Sequence, residues 1–262
     1  MQYLSSQSNP QIRYARSVRD EASVRRTDGV CFAEGLRLCR DAVSAGAVRT
    51  SFVTEAFAQK EPAFTRTLEE AGECFGVSGA AAGALADTRN PQGVFCVCDV
   101  SSLRRPAEQL KAERSFLCLD RICDPGNLGT ILRTAEAFGV EAVLVGDGCC
   151  DVFAPKVLRA SMGAGFRVRA FFAESLEREI VRLSGEGAAF YAAMLSETAR
   201  DLRTLRPKTP FGVIIGNEAN GVSAEIARHC EPVVIPMAGG AESLNAAGAA
   251  AIFLWELFGR RA

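Results

Sequence analysis

The sequence predicts an α/β fold made of two units. Apolar strand-like runs alternate with helix-like stretches along most of the chain, and the runs of the second half are almost entirely apolar. Such runs are typical of parallel strands covered by helices on both faces. A polar stretch around Pro106 separates the two halves. We therefore expect domains at residues 1–100 and 115–262, joined by a linker at 101–114.

Composition and charge limit the class of protein. The 262 residues are 48% hydrophobic, and 30 Lys and Arg balance 31 Asp and Glu to a net charge of −1. Any nucleic-acid surface must therefore be local. The most apolar stretch, 246–258, is shorter than the roughly 20 residues of a spanning helix, and no basic region precedes an apolar run at the N-terminus. We expect a cytoplasmic protein without a membrane segment.

The ten cysteines form no C-x-x-C pair, and several lie inside apolar runs such as VFCVCDV. This pattern indicates small buried side chains in a reducing compartment and not a disulfide framework. His229 is the only histidine. A zinc site or a histidine-based catalytic triad is therefore not expected.

The N-terminal unit begins with a polar, Arg-rich segment at residues 1–28, whose arginines recur at helix-like spacing: Arg13, Arg16, Arg19, Arg25 and Arg26. The commoner meaning of such a run is a solvated helix face, and the functional alternative is a helix that contacts phosphates. Strands are then predicted at 30–33, 49–54, 74–77 and 93–100, with helices at 35–45 and 63–71.

In the C-terminal unit, hydrophobic runs predict strands at 116–120, 141–145, 190–193, 211–215 and 232–235. Helices are predicted between them at 128–138, 155–162, 176–183, 224–230 and 243–258. A parallel sheet binds ligands at the carboxyl ends of its strands. The loops that follow the strands are therefore the places to look for a site.

The first such loop runs from Asp120 to Thr130. Asn127 is predicted to cap the following helix, whose N-terminus offers free N–H groups to an anion. Arg133, further along this helix, adds a charge that can fork onto a phosphate. By itself the loop also fits an ordinary turn, and the chain lacks both a nucleotide P-loop and a G-x-G-x-x-G.

The second loop, 216–223, follows another buried strand. Gly216 would let a ligand lie against the backbone, and Glu218 places a carboxylate at the strand end. By itself this loop also fits a tight turn with a solvated Glu.

The third loop follows Ile235 and precedes an Ala-rich helix, for which Ser243 is the predicted N-cap. Met237 with Gly239 and Gly240 can wrap a flat apolar ligand. The run of Ala and Gly after Asn245 allows close approach of another backbone, where the chain threads through itself or where two subunits pack.

Together the three loops resemble the SpoU/TrmH family of RNA ribose 2′-O-methyltransferases, part of the SPOUT superfamily. The resemblance covers residues 115–262 and rests on DPGNLG-x-x-x-R, IGNE-x-x-G and IPM-x-x-x-x-SLN in that order. Residues 156–163 resemble the family's segment before its middle strand. FAEG at 32–35 and PQG at 91–93 are similar to the family's ribosomal-protein L30e-like substrate domain.

The resemblance implies a deep trefoil knot in the C-terminal sheet, a homodimer, no metal, and S-adenosylmethionine as the methyl donor, which leaves as S-adenosylhomocysteine. It implies eight cofactor-binding residues: Met194, Leu195, Gly216, Asn217, Ile235, Met237, Ser243 and Leu244. It also implies five catalytic residues: Asn127, Arg133, Glu218, Ser243 and Asn245.

Within the implied reaction, the ribose hydroxyl is a poor nucleophile until its proton is removed. Arg133 is the family's candidate base, although an arginine is normally too basic to be neutral. Its alternative role is to grip the adjacent phosphate and orient the hydroxyl. Asn127 is expected to hold either this arginine or the ribose, and Glu218 to position Asn127 or Arg133.

The substrate is open at this point. Ribosomal RNA is favoured because the family's enzymes with such an N-terminal domain act on it, and tRNA is the alternative. The five N-terminal arginines, with Arg133, are the predicted RNA contacts. Two rivals are a non-catalytic RNA-binding protein of the same fold and a SPOUT methyltransferase that modifies a base.

Overall fold

The computed structural model describes residues 1–239 and 243–259, and the chain forms two compact units. The first contains Met1–Ser102 and Asp151–Arg167, and the second contains Leu103–Cys150 and Val168–Ala262. Both are built from strands and helices, so the predicted α/β class is confirmed. The domain boundaries at 100 and 115 stay a prediction.

Within the described residues, the first unit has one five-stranded sheet in the order β1-β4-β3-β5-β2. Its strands are β1 (Gln2–Leu4), β2 (Val30–Glu34), β3 (Val48–Thr54), β4 (Glu73–Val77) and β5 (Val94–Asp99). The β5 strand is antiparallel to both of its neighbours, and the remaining pairs are parallel.

The helices of the first unit are α1 (Pro10–Asp20), α2 (Ala22–Asp28), α3 (Leu36–Ser44), α4 (Glu55–Lys60), α5 (Pro62–Ala71) and α6 (Gly79–Leu85). Three elements of this unit, α4, α6 and β1, were not predicted from the sequence. The α6 sequence, GAAAGAL, has little apolar periodicity, but Ser78 accepts a hydrogen bond from the Ala81 amide at 3.1 Å and caps it. Its buried face joins a core that includes Ile12, Phe32 and Phe95.

A segment from the second half of the chain completes this first unit. It contains α8 (Pro155–Ala160) and α9 (Ala164–Arg167), and α8 packs beside β2 at the edge of the sheet. Ion pairs join Asp151 to Arg25 at 3.0 Å, Arg159 to Asp87 at 2.6 Å, and Arg167 to Asp41 at 2.7 Å. Sequence distance alone therefore does not decide which residues pack together.

Arg25 has a structural role in this unit. Its guanidinium donates to Asp151 and to the carbonyls of Val18 and Arg19, and its side chain is 7% exposed. Arg19 likewise donates to three carbonyls at the end of α6, at 2.7 to 2.9 Å. Neither guanidinium is presented to solvent as the phosphate-contact prediction requires. Arg13, Arg16 and Arg26 are exposed.

Replacing Arg25 with Met should destabilise the first unit. Removing one partner of a buried ion pair leaves the other charge buried without a partner. This lowers the free energy of unfolding by about 3 kcal/mol. Urea unfolding followed by circular dichroism measures the loss. Arg26→Met, on the exposed face of the same helix, is the matched control and should change little. Equal unfolding midpoints for the two variants would contradict the buried role.

The second unit has one sheet, which in the described part of the chain has eight strands in the order β11-β13-β10-β12-β7-β8-β9-β6. They are β6 (Arg105–Pro106), β7 (Phe116–Leu119), β8 (Val143–Val145), β9 (Ala170–Phe172), β10 (Ala189–Ala193), β11 (Arg200–Asp201), β12 (Phe211–Ile215) and β13 (Glu231–Val234). Every pairing is parallel, as predicted. The trefoil knot stays a prediction.

The helices of the second unit are α7 (Pro125–Ala137), α10 (Leu176–Gly185), α11 (Ala224–Ala227) and α12 (Ala246–Leu257). In α12, Ala247 and Ala250 are buried, and the helix packs against α7. The small residues therefore permit close packing inside this unit. Over residues 1–239 and 243–259, every helix is too short or too polar to cross a lipid bilayer.

The segment predicted as a linker is packed onto the second unit. Ala107 and Leu110 are buried, and β6 pairs with β9. Arg182 on α10 donates to the carbonyls of Ala107 and Leu110 at 3.2 and 2.9 Å. Its polar sequence gave no sign of these contacts, because the two apolar side chains that anchor it are isolated.

All ten cysteines are free, and five of them are fully buried. Burial raises the pKa of Cys149 and of Cys230 to about 12. These thiols behave as the small buried side chains that the sequence predicted. Cys123 is exposed, and the other four cysteines, Cys74, Cys149, Cys150 and Cys230, are half-buried.

Candidate active site

The three predicted loops leave the same edge of the parallel sheet. The strands β13, β10, β12 and β7 are neighbours in this order and run in the same direction. Their carboxyl ends therefore meet at one edge, where open α/β sheets bind ligands. The helices α7 and α12 begin beside this edge and present their N-terminal residues to it.

Three of the predicted catalytic residues form one chain of hydrogen bonds. Asn245 Nδ2 donates to Asn127 Oδ1 at 2.9 Å, and Asn127 Nδ2 donates to Glu218 Oε1 at 2.9 Å. Asn245 Oδ1 accepts from the backbone amides of Ala247 and Gly248. The chain thus joins the start of α12, the start of α7 and the loop after β12.

The two ends of this chain fix its direction. A backbone amide can only donate, so the Asn245 oxygen must face α12 and its NH₂ must face Asn127. A carboxylate can only accept, so the Asn127 NH₂ must face Glu218. Both amide orientations follow from these two constraints. The second oxygen of Glu218 has no hydrogen-bond partner among the described residues, and Glu218 is exposed.

The N-caps of both helices differ from the predictions. Asp124 caps α7 by accepting from the Asn127 amide at 2.8 Å, so Asn127 lies inside the first turn and its side chain is free for Glu218. Asn245 caps α12 in place of Ser243. In each case two cap-forming residues lie close together in sequence, and the structure uses the one that was not chosen.

The first two loops are locked to each other. Asp120 is 4% exposed, and its Oδ2 accepts from the Ser223 amide at 2.7 Å. Asn217 Nδ2 donates to the Arg121 carbonyl at 2.8 Å, and the Asn217 backbone exchanges two hydrogen bonds with Gly221. Glu218 therefore stands on a loop that is braced on both sides. Asp120 and Arg121 were not predicted as site residues, although an acidic residue at the end of an apolar run was a usable signal.

A cavity of about 370 Å³ opens beside this chain of side chains. All eight residues predicted to bind the cofactor line it, together with the predicted catalytic residue Glu218. Ala249 and Phe253 of α12 also line it and were not predicted as site residues. Gly240, which was expected to wrap the same ligand, lies outside the described residues. That the eight residues bind a cofactor stays a prediction.

Packing within the loop requires a glycine at position 216. A Cβ at this position would overlap the backbone of Gly221 and Val222 and lie 2.5 Å from the Gly221 carbonyl oxygen. The glycine therefore lets the loop close on itself. That a ligand lies against this backbone stays a prediction.

The structure does not bring Arg133 into the chain. Arg133 is exposed on α7, and no hydrogen bond or ion pair joins it to another described residue. It lies six residues, or about 9 Å of helix rise, beyond Asn127. Ser243 is exposed at the cavity wall. Among the described residues, no cluster of three His, Cys, Asp or Glu side chains is arranged to hold a metal ion.

Comparison with known families matches both halves of the chain. The SpoU rRNA Methylase family matches residues 114–255, and the MRM3-like substrate binding domain matches residues 9–96. A 23S rRNA (guanosine(2553)-2′-O)-methyltransferase, RlmP, of Bacillus subtilis is 31% identical over 260 residues, covering 99% of this chain and 100% of the relative.

Two solved structures share the fold. The AdoMet-bound rRNA methyltransferase from Sinorhizobium meliloti has a TM-score of 0.86 and 30% identity, covering 97% of this chain and 96% of the other. The SpoU methyltransferase AviRb from Streptomyces viridochromogenes, in complex with AdoMet, has a TM-score of 0.80 and 26% identity, covering 97% and 98%. The family match spans the sheet edge, the cavity and the side-chain network, and the chain therefore belongs to the SpoU rRNA methylase family.

Proposed function

We propose that this protein transfers a methyl group from S-adenosylmethionine to a ribose 2′-hydroxyl of ribosomal RNA. The observation that carries the proposal is the Asn245–Asn127–Glu218 chain, which ends in an exposed carboxylate beside the cavity. The RNA substrate and the cofactor follow from the full-length relative and from the two cofactor-bound structures.

The cavity fits the proposed cofactor. Its volume of about 370 Å³ lies within the range of roughly 300–1,000 Å³ for small-molecule sites. Leu195, Ile235 and Leu244 supply apolar walls for a flat base, and the backbone around Gly216 supplies polar groups. When bound, S-adenosylmethionine supplies a methyl group already activated by its sulfonium charge. We therefore propose that no metal takes part.

The chain's own residues orient the attacking hydroxyl. The second Glu218 oxygen is available to accept a hydrogen bond from a polar group of the ribose, and Asn127 prevents this carboxylate from turning away. Arg133, exposed on α7, is placed to grip a substrate phosphate. Holding the hydroxyl in line with its target removes much of the entropic barrier. In this assignment Asn127 positions Glu218, and Arg133 acts on the phosphate.

The first unit supplies further RNA contacts in this proposal. Arg13 and Arg16 lie one turn apart on the exposed face of α1, and Arg26 is exposed on α2. These three retain the predicted role, because Arg19 and Arg25 bind the protein's own carbonyls. Phosphate contacts position an RNA without specifying its sequence. We also propose that the protein acts in the cytoplasm, which is compatible with a ribosomal RNA substrate.

We propose that the protein works as a homodimer. Ile252 and Trp255 on α12 are 40% and 52% exposed, which leaves an apolar strip on a helix whose other faces are buried. Ile252→Lys should convert a wild-type dimer to monomers in analytical ultracentrifugation, because burying an unpaired charge is costly. Val181→Lys, which replaces an exposed apolar residue on α10, is the control. A wild-type monomer, or a dimer unaffected by Ile252→Lys, would contradict this interface.

The test of the proposed function is incubation with methyl-labelled S-adenosylmethionine and unmodified 23S rRNA or tRNA transcripts. Mass spectrometry of the digested nucleosides should find a 2′-O-methylribose in ribosomal RNA. Label in tRNA and not in ribosomal RNA would identify tRNA as the substrate. Label on a base would favour a base methyltransferase. Cofactor binding by calorimetry without any methylation would favour a non-catalytic RNA-binding protein.

A further inference from the structure

Arg121 has a backbone conformation that L-residues avoid. Its φ is 54°, and Met162 is the other non-glycine residue with positive φ in the described part of the chain. Glycine or asparagine would occupy this left-handed conformation with less strain. An arginine held in such a conformation beside an active site points to a functional reason for the side chain.

The side chain is held in place by its neighbours. Arg121 Nε donates to the buried carboxylate of Asp120 at 3.0 Å. Its stem packs over Gly148, where an added Cβ would lie 2.9 Å from Arg121 Cγ. Asn217 fixes the Arg121 carbonyl. The guanidinium is therefore positioned before any ligand arrives, which lowers the entropic cost of binding.

The outer edge of this guanidinium is free. The side chain is 38% exposed, and its two terminal nitrogens have no hydrogen-bond partner among the described residues. Arg121 follows β7 at the sheet edge that carries Asn127 and Glu218, yet it is absent from the described wall of the cofactor cavity. Its free N–H groups are therefore available to a ligand other than the cofactor.

We propose that Arg121 binds a phosphate of the RNA beside the target nucleotide, an assignment that rests on the proposed function. Two terminal nitrogens in one plane match two phosphate oxygens, which lysine cannot reproduce. Asp120 orients this fork and offsets part of its charge, so geometry contributes more than long-range attraction. Arg121 thereby supplements Arg133, which projects from α7 without a described partner.

Arg121→Asn and Arg121→Lys test the proposal with a 23S rRNA transcript in salt-dependent anisotropy binding. Arg121→Asn should weaken RNA binding about tenfold. The slope of log K against log salt, which is negative, should become shallower by about one. Arg121→Lys keeps the charge and loses the two-pronged geometry of the guanidinium. Its RNA affinity should therefore lie between those of the wild type and Arg121→Asn. The melting temperature should stay close to wild type, because relief of backbone strain offsets the lost ion pair.

Arg114→Asn is the matched control. Arg114 also pairs with a carboxylate, Glu141, but precedes β7 and so lies at the opposite end of that strand. Wild-type RNA affinity and salt slope in Arg121→Asn would overturn the proposal, as would a loss of S-adenosylmethionine affinity in calorimetry. A wild-type protein that binds this RNA without methylating it would overturn the proposed function. The RNA affinities of the Arg121 variants would then still decide whether Arg121 binds a phosphate.

Discussion

Asn127→Ala is expected to lower kcat about 100-fold, equivalent to about 2.7 kcal/mol of transition-state stabilisation. The substitution removes both the acceptor for Asn245 and the donor to Glu218. The fold should survive, because the cap of α7 is Asp124 and its partner is the backbone amide of residue 127. Methylation of 23S rRNA under single-turnover conditions measures the effect.

Two further variants separate the causes of this loss. Glu218→Gln keeps an oxygen that can accept from Asn127 but removes the charge, so a comparable loss there would assign the effect to the carboxylate. Thr130→Ala is the matched control, since Thr130 is exposed one turn along α7 and donates only to the Gly126 carbonyl. S-adenosylmethionine affinity should be unchanged, because Asn127 is not among the described residues of the cavity wall. A kcat for Asn127→Ala close to that of Thr130→Ala would contradict the role of the chain.

The sheet of the second unit could be predicted because its central strands have uninterrupted apolar sequences. Phe116–Leu119 and Phe211–Ile215 are buried at every position, and such runs are typical of central parallel strands. The short strands β9 and β11 were not predicted, because their three and two residues are too few to show a hydrophobic period. The residue types of the site were predictable for a similar reason, since its loops interrupt these runs.

The contacts between the site residues were not predictable from local sequence. Asn127 and Glu218 are 91 positions apart, and Asn127 and Asn245 are 118 apart. Their meeting depends on strand order, which the periodicity of single segments does not contain. The pairing of Arg25 with Asp151, across 126 positions, has the same origin. Helical spacing alone therefore predicted Arg25 as an exposed RNA contact, whereas the fold places it in a buried ion pair.

The N-caps of α7 and α12 could be predicted only in part from the sequence. The segment Asp124-Pro125-Gly126-Asn127 offers two cap-forming residues, and Pro125 was the signal that decides between them, because proline favours the first helical position. At α12, Ser243 and Asn245 both qualify by residue type, and no proline separates them. There the choice depends on Asn245 also reaching Asn127, a contact that only the folded chain provides.

Gly216→Ala is expected to abolish methylation and to weaken S-adenosylmethionine binding at least tenfold. The added Cβ would overlap the backbone of Gly221 and Val222, which cannot turn aside as a flexible side chain does. Relief requires the loop to open, and opening displaces both Glu218 and the cavity wall. Overpacking of this kind costs roughly 1–3 kcal/mol of stability, so the protein should still fold.

Gly185→Ala is the matched control for this experiment. Gly185 is the last residue of α10 and is not among the described residues of the cavity wall, and a Cβ there would meet nothing within 4 Å among the described residues. The same added methyl group should therefore leave cofactor binding and the melting temperature near wild type. Isothermal calorimetry of both variants with S-adenosylmethionine makes the comparison. Equal affinities would show that the cavity tolerates an open loop at residues 216–223, and would remove loop closure as the reason for glycine at position 216.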